Sequence, residues 1–363
     1  MDSTGPPSGR PKFTPRLVAW ELTRACRMAC RHCRAAARPT PDADDLTTEE
    51  GYRLLVNIAS FWQPILILTG GEPLLRPDVF DLANRARSLG LPVVLATCGM
   101  GLDDETAQRL MDAGIRHISI SLDGATAESH DAIRGVPGAF DAALRGIEAA
   151  KRAGLSFQVN TTVARYNVAD LPAIRDLAVR LGAIVFNPFL LVPTGRGREI
   201  ADEELSAEEY ETTLQWLADQ RGKSATQIRV TCAPQYQRIL RERRRPGDPE
   251  PEGHGCMGGK SFAFIAHNGK VQICGFLDVE CGDLRREGFD FHKIWETSEV
   301  FREVRDVGSY RGSCGECEYG PVCGGCRARA YAMTGDYLSE EPFCLHRPKR
   351  ASAKGLGGPT EVL

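Results

Sequence analysis

No apolar run in this sequence approaches the roughly 20 residues that a membrane-spanning helix needs. The first 15 residues are rich in Pro, Gly and Ser and lack the apolar core of a signal peptide, so they read as a disordered leader. Net charge is only −3, which leaves no electrostatic footprint for a dedicated nucleic-acid surface. A haem-attachment motif of the CxxCH type is absent, and His117, His267 and His346 show no spacing that singles out an axial ligand. These absences lead to the expectation of a cytoplasmic protein with neither membrane nor nucleic-acid partners. What the chain does have is cysteine, 13 in 363 residues. A disulfide framework suits small secreted domains, whereas grouped cysteines in a reducing compartment more often bind metal or iron–sulfur clusters.

Short β-branched runs alternate with amphipathic stretches along the first two thirds. Strands are expected at 18–23, 65–69, 92–97, 117–122, 156–163 and 183–190, and helices at 47–60, 78–89, 104–113, 139–153, 171–181 and 206–220. Leu171, Ile174, Leu177, Ala178 and Leu181 fall on one helical face, as packing on a sheet requires. Thr47 before Glu50 and the acids Asp103 and Asp104 signal helix starts. Six βα units with short connections imply an α/β fold, a partial (β/α)6 TIM-like barrel whose chemistry gathers at the carboxyl ends of its strands. The expected organisation is a leader over 1–15, a barrel over 16–240, a cysteine-rich domain over 250–347 and a flexible tail over 348–363. The boundary is marked by Arg241–Arg245 and the Pro/Gly/acid run after it.

The first cysteine group, Cys26-Arg-Met-Ala-Cys30-Arg-His-Cys33, follows the first strand. Three thiolates at this spacing can hold three irons of a [4Fe–4S] cube and leave the fourth open, the mark of a catalytic site. The alternative is a structural zinc loop completed by His32 or by a distant ligand.

CxxxCxxC after strand one of a βα barrel resembles the radical S-adenosylmethionine (SAM) superfamily. Thr69-Gly70-Gly71-Glu72-Pro73 is similar to that superfamily's GGEP motif, which implies contact with the amino group of SAM. Ser119-Ile-Ser121-Leu-Asp123 is similar to its ribose-contacting strand. The resemblance further implies SAM contacts from Arg134 and Asn160, against the bland readings of a surface ion pair and a satisfied strand end. In such enzymes a reduced cluster cleaves SAM, and the resulting 5′-deoxyadenosyl radical abstracts a hydrogen atom from substrate. Cys98, where relatives often carry Asn facing the active site, is the candidate catalytic or radical-facing residue; its alternative is an inert buried thiol.

Toward the C-terminus, Cys314-Gly-Glu-Cys317, Cys323-Gly-Gly-Cys326 and Cys344 make a second metal signature, with zinc knuckles as the alternative. The arrangement resembles the SPASM extension of radical SAM enzymes. That resemblance implies one auxiliary [4Fe–4S] cluster on Cys314, Cys317, Cys323 and Cys344. It leaves Cys256, Cys274 and Cys326 for another, with Cys281 the nearest candidate for its fourth ligand. The Cys323–Cys326 spacing is one residue shorter than the usual SPASM pattern. Cys232 reads as core, and His267–Cys274 as a hairpin with an Asn-Gly turn.

Within the superfamily, Val18–Thr23, Arg34–Ala37, Phe189–Gly197, Cys323–Asp336 and Glu341–Cys344 are similar to porphyrin-tailoring SPASM enzymes of the siroheme-dependent haem pathway. The likeness is greatest to the haem-synthase type, which converts two propionates of iron-coproporphyrin to vinyls. It implies an iron-porphyrin substrate, an auxiliary cluster as electron acceptor, and a reducing partner such as ferredoxin or flavodoxin. Arg196, Arg198, Arg327 and Arg329 are candidate carboxylate contacts, with solvated surface arginines as the alternative. Rival readings are a d-type-haem or siroheme-derived macrocycle enzyme, a peptide or nucleoside-product maturase, and a non-catalytic iron–sulfur or zinc carrier.

Overall fold

The computed structural model describes residues 13–349 apart from Glu252 and His254; the expected leader falls largely, and the tail almost wholly, outside these residues. Six parallel strands, β1 (Leu17–Glu21), β2 (Ile65–Thr69), β3 (Val93–Thr97), β4 (His117–Ser121), β5 (Ser156–Val163) and β6 (Val185–Leu190), lie side by side in chain order. The helices between them are α1 (Thr48–Phe61), α2 (Val79–Ser88), α3 (Asp104–Asp112), α4 (Ala127–Arg134), α5 (Ala139–Ala153) and α6 (Leu171–Leu181), followed by α7 (Ala207–Asp219). This is the expected (β/α)6 arrangement, open rather than closed. Thr47 caps α1 through a reciprocal bond pair with Glu50, and Leu171, Ile174, Leu177 and Ala178 of α6 are buried as their spacing requires.

Helix α4 is absent from the expectations above. It is only eight residues long, capped by Thr126 and Ser129, and of its apolar side chains only Ile133 carries a clear burial signal. Periodicity cannot show so short a helix.

The edges of the sheet are covered from elsewhere in the chain. Short β7 (Gln227–Ile228) pairs with β6. On the opposite edge β8 (Phe262–Ile265), from the cysteine-rich region, pairs in parallel with β1, Leu17 opposite Phe262 and Trp20 opposite Ile265. β8 then turns back through Asn268-Gly269 into β9 (Lys270–Gln272), the expected hairpin, and β10 (Gly282–Asp283) completes a ten-stranded sheet. The cysteine-rich region therefore continues the barrel's own sheet and satisfies the exposed edge of β1.

After α8 (Tyr236–Glu242), the C-terminal helices are α9 (Phe291–Thr297), α10 (Glu299–Arg305), α11 (Ser313–Glu316) and α12 (Arg327–Thr334). Trp62 at the end of α1 packs edge-on against Phe291 and Trp295 of α9, and Arg285 bonds both carboxylate oxygens of Glu50. Among the described residues no helix is long and apolar enough to cross a membrane.

Candidate radical site and C-terminal cysteine sites

The loop after β1 carries Cys26, Cys30 and Cys33, and the loop after β2 clamps it. The N–H of Gly71 donates to Thr23 O and that of Glu72 to Ala25 O, both at 2.7 Å. This contact requires glycine. A Cβ on Gly71 would lie 2.3 Å from Ala25 O, and one on Gly70 2.6 Å from Thr23 O. The close approach these glycines permit is thus to the cysteine loop itself. Glu72 is buried, and its carboxylate accepts from Thr97 Oγ1 (2.9 Å), Cys98 N (2.8 Å) and Leu74 N (3.1 Å). Burial raises its pKa while these donors pull the other way. Its carboxylate thus ties the loop after β2 to the end of β3, and its backbone N–H ties that loop to the cysteine loop.

Cys26, Cys30 and Cys98 form a small buried cluster with Met28, Ala37 and Ala139, against which Cys33 packs. Donors already point at the sulfurs: Met28 N at Cys26 (3.3 Å), Ala37 N at Cys33 (3.4 Å) and Arg134 Nη1 at Cys30 (3.6 Å). Burial pushes the Cys98 thiol well up, and the neighbouring Glu72 carboxylate adds to this.

Arg134, at the end of α4, joins the cysteine loop to β4. Its carbonyl accepts from Ala29 N, and its Nη2 pairs with Asp123 Oδ2 at 2.7 Å, both side chains being almost wholly buried. Asp123 also accepts from Thr162 N (2.7 Å) and lies 3.4 Å from His32 Nε2. Burial raises its pKa, but Arg134, His32 and His130 outweigh that and hold the carboxyl below its usual range. His32 therefore faces Asp123, and Tyr166 Oη stands 3.5 Å from its other nitrogen.

Further round the barrel, Ser121, Asn160 and Asn187 stand in register on β4, β5 and β6. Asn160 Oδ1 accepts from Gln158 Nε2 (2.8 Å) and Asn187 Nδ2 (3.4 Å), a polar ladder running from strand to strand. The loop after β6 folds back over the cysteines. Arg196 donates to Cys30 O (2.9 Å) and Ala37 O (2.6 Å), and its N–H donates to Cys33 O.

The C-terminal cysteines form two groups. Cys314, Cys317, Cys323 and Cys344 line one cavity of about 280 Å³ with Tyr319, Gly324 and His346. Arg327 Nη2 and Glu341 N stand 3.6 and 3.3 Å from Cys314 Sγ. Cys256, Cys274 and Cys326 make the second group: Cys274 is within electrostatic reach of Cys256 and Cys326, and Cys256 N bonds Cys323 O of the first.

Residues 20–178 match the model of the radical SAM superfamily, and residues 256–327 that of SPASM, an iron–sulfur cluster-binding domain. The sequence is 47% identical over 343 residues to the AdoMet-dependent heme synthase of Methanosarcina barkeri, covering 92% of this chain and 97% of that protein. To the protein of the same name from Nitratidesulfovibrio vulgaris it is 45% identical, covering 93% and 94%. This chain is a radical SAM enzyme with a SPASM domain. Its fold is shared with the solved structure of SuiB from Streptococcus suis bound to S-adenosylmethionine, at a TM-score of 0.73 and 15% identity, over 92% of this chain and 78% of that one. Membership in this family brings a [4Fe–4S] cluster with SAM to the barrel and auxiliary iron–sulfur clusters to the SPASM region.

The cysteine arrangement suits that chemistry better than zinc. A tetrahedral zinc with sulfur at about 2.3 Å needs thiolates only about 3.8 Å apart. Among the described residues, the only group of three potential ligand atoms within 4.8 Å of one another is Cys317, Glu318 and His346. The cysteine groups are spread more widely than one ion requires, and N–H donors face several of their sulfurs, as thiolates bound to a cluster call for.

Two expected carboxylate contacts are corrected, and a third is partly committed elsewhere. Arg196 gives Nε and Nη1 to carbonyls of the radical SAM cysteine loop, while its Nη2 has no partner among the described residues. Arg327 and Arg329 are fully buried, Arg327 on the carbonyls of Tyr337 and Ser339 and Arg329 on Glu204, Tyr210 and the carbonyls of Leu191 and Cys232. Thr97, Asn187 and Arg196 are the supporting residues that sequence reasoning missed as such. The one signal for Arg196 was its glycine-rich loop.

Proposed function

We propose that this enzyme oxidatively decarboxylates two propionate side chains of iron-coproporphyrin III to vinyl groups, producing heme b. The observation that carries this reading is the end-to-end likeness, at 45–47% identity, to proteins named AdoMet-dependent heme synthase. Cys26, Cys30 and Cys33 are assigned the barrel cluster, and Gly70, Gly71, Ser121 and Asn160 the surface that receives SAM. Glu72, Asp123 and Arg134 are assigned to the same surface, Glu72 bracing the end of β3 and Asp123 and Arg134 pairing with each other between β4 and α4. Cys314, Cys317, Cys323 and Cys344 are assigned one auxiliary cluster, and Cys256, Cys274 and Cys326 a second. The working compartment is the cytoplasm, with a ferredoxin or flavodoxin as reductant. Residues 16–240 form the barrel unit and 250–347 the SPASM unit.

When bound, SAM and the barrel cluster supply a 5′-deoxyadenosyl radical that removes a hydrogen atom, and the auxiliary clusters supply one-electron redox capacity. On the substrate, loss of hydrogen from the ring-attached methylene leaves a carbon radical. The adjacent bond to the carboxylate then breaks, releasing carbon dioxide and one electron and leaving the vinyl group; the second propionate repeats the sequence. Arg134 and the backbone N–H groups of Met28 and Ala37 hold negative charge on the cysteine sulfurs, and the packed loops after β2 and β6 keep water from them.

The test is anaerobic turnover of reduced, reconstituted enzyme with SAM and iron-coproporphyrin III, followed by mass spectrometry. Two successive losses of formic-acid mass, with 5′-deoxyadenosine formed, are expected. Unchanged porphyrin alongside 5′-deoxyadenosine would refute the substrate assignment while keeping the enzyme class.

A further inference from the structure

The group Cys256, Cys274 and Cys326 has three cysteines and no evident fourth. Cys281, the nearest in sequence, does not reach it. Its thiol is directed at Val279 O, and the groups acting on it are Ser298, the Ile273 backbone and Arg305, with no cysteine among them. Cys232 takes that place. Its carbonyl is held by Arg329, three residues after Cys326, and its thiol lies beside that of Cys326 and within electrostatic reach of Cys274. Cys232 comes from a different part of the fold, the end of the barrel: its neighbour Thr231 bridges Phe189 of β6.

The backbone is arranged to deliver this thiol. Cys232 has φ +60°, one of three non-glycine residues with positive φ among those described. Such a conformation costs about 1 kcal/mol or more and persists where surrounding structure over-determines it. Here Arg329 Nη1 and Tyr210 Oη both donate to Cys232 O at 2.9 Å. Arg329 is itself fully buried and held by Glu204 (3.2 Å) and Leu191 O (2.7 Å). It lies in the first turn of α12, whose N-cap residue is Cys326. One short helix thus carries both Cys326 and the guanidinium that fixes Cys232 beside it.

We propose that Cys232 supplies the fourth thiolate to an iron–sulfur cluster held by Cys256, Cys274 and Cys326. This rests on the reading that those three residues hold a cluster. Four thiolates complete the coordination of a cube, so that cluster has no open iron for a substrate carboxylate and serves electron transfer alone. The ligand crosses from barrel to SPASM region, which makes assembly of this cluster depend on the docking of the two.

Iron and sulfide counting and electron paramagnetic resonance of the dithionite-reduced, anaerobically reconstituted full-length enzyme test this. Cys232→Ala is expected to lose about four irons per chain and one auxiliary signal, as Cys256→Ala does, while Cys281→Ala keeps the wild-type iron content. Cys232→Ser, nearly isosteric and able to ligate through oxygen, is expected to retain the cluster with a shifted spectrum, which a merely structural cysteine would not produce. Full iron and an unchanged spectrum in Cys232→Ala, with iron lost from Cys256→Ala, would overturn the role of Cys232 alone. Full iron in both would overturn the underlying cluster reading as well.

Discussion

Replacing Asp123 with asparagine removes one charge from a buried pair and strands the other. Asn keeps the size of the side chain and an acceptor for the 2.7 Å bond from Thr162 N, so the change falls on the 2.7 Å contact with Arg134. The exposures of the two side chains, 9% for Arg134 and 0% for Asp123, leave water little access to screen the loss. Two unit charges about 4 Å apart interact by about 4 kcal/mol at an effective dielectric near 20, and breaking one half of a buried pair costs about 3–5 kcal/mol. Cluster-free Asp123→Asn protein is therefore expected to lose about 3–5 kcal/mol in anaerobic urea unfolding followed by circular dichroism. Arg134→Gln should cost a similar amount, and the double variant should fall short of the sum by at least about 1.5 kcal/mol, because contacting residues do not add. In reconstituted protein the thiolate of Cys30, 3.6 Å from Arg134 Nη1, partly compensates the stranded cation, so the loss should be smaller there. A loss within about 0.5 kcal/mol of zero, the range of ordinary surface substitutions, or strict additivity in the double variant, would refute the argument.

Gly71→Ala places a Cβ 2.3 Å from Ala25 O and must displace the cysteine loop; SAM cleavage should fall about 100-fold, with the SPASM-region iron retained on counting. His130, whose Nδ1 accepts the Asp123 N–H, is pushed down to about 4 chiefly by burial, with Arg134 adding to this. The unfolded chain takes up this proton near pH 6.5 and the folded chain only near 4, so stability is full above 6.5 and falls by roughly 3 kcal/mol as pH drops through that window. His130→Gln should flatten that part of the stability profile, and an unchanged slope in denaturant midpoints between pH 6.5 and 4 would contradict it. Cys314→Ala should lower bound iron by about four per chain; equal iron would overturn the assignment of the 280 Å³ cavity to a cluster.

The parts legible in the sequence were those encoded by local pattern. β2, β5, α5 and α6 run over the residues their periodicity indicates, because alternation and 3.6-residue spacing are properties of a segment and its burial. The cysteine spacings likewise announce cluster chemistry without reference to the rest of the chain. Tertiary structure decided what no local pattern contains. It added β8 to the edge of β1, turned Arg327 and Arg329 from prospective substrate contacts into buried struts, and tied the half-buried Arg196 to the cysteine loop. It committed Glu72 and Asp123 to the loops around them, and it carried Cys232 from the barrel to the side of Cys326. The physical reason is common to all of these. Edge pairing, buried ion pairs and sulfur contacts are satisfied by partners brought together across the chain, and only packing determines which partner arrives. The triplet Cys26, Cys30 and Cys33 is written in the sequence; the donors and braces that hold it in place are assembled by the fold.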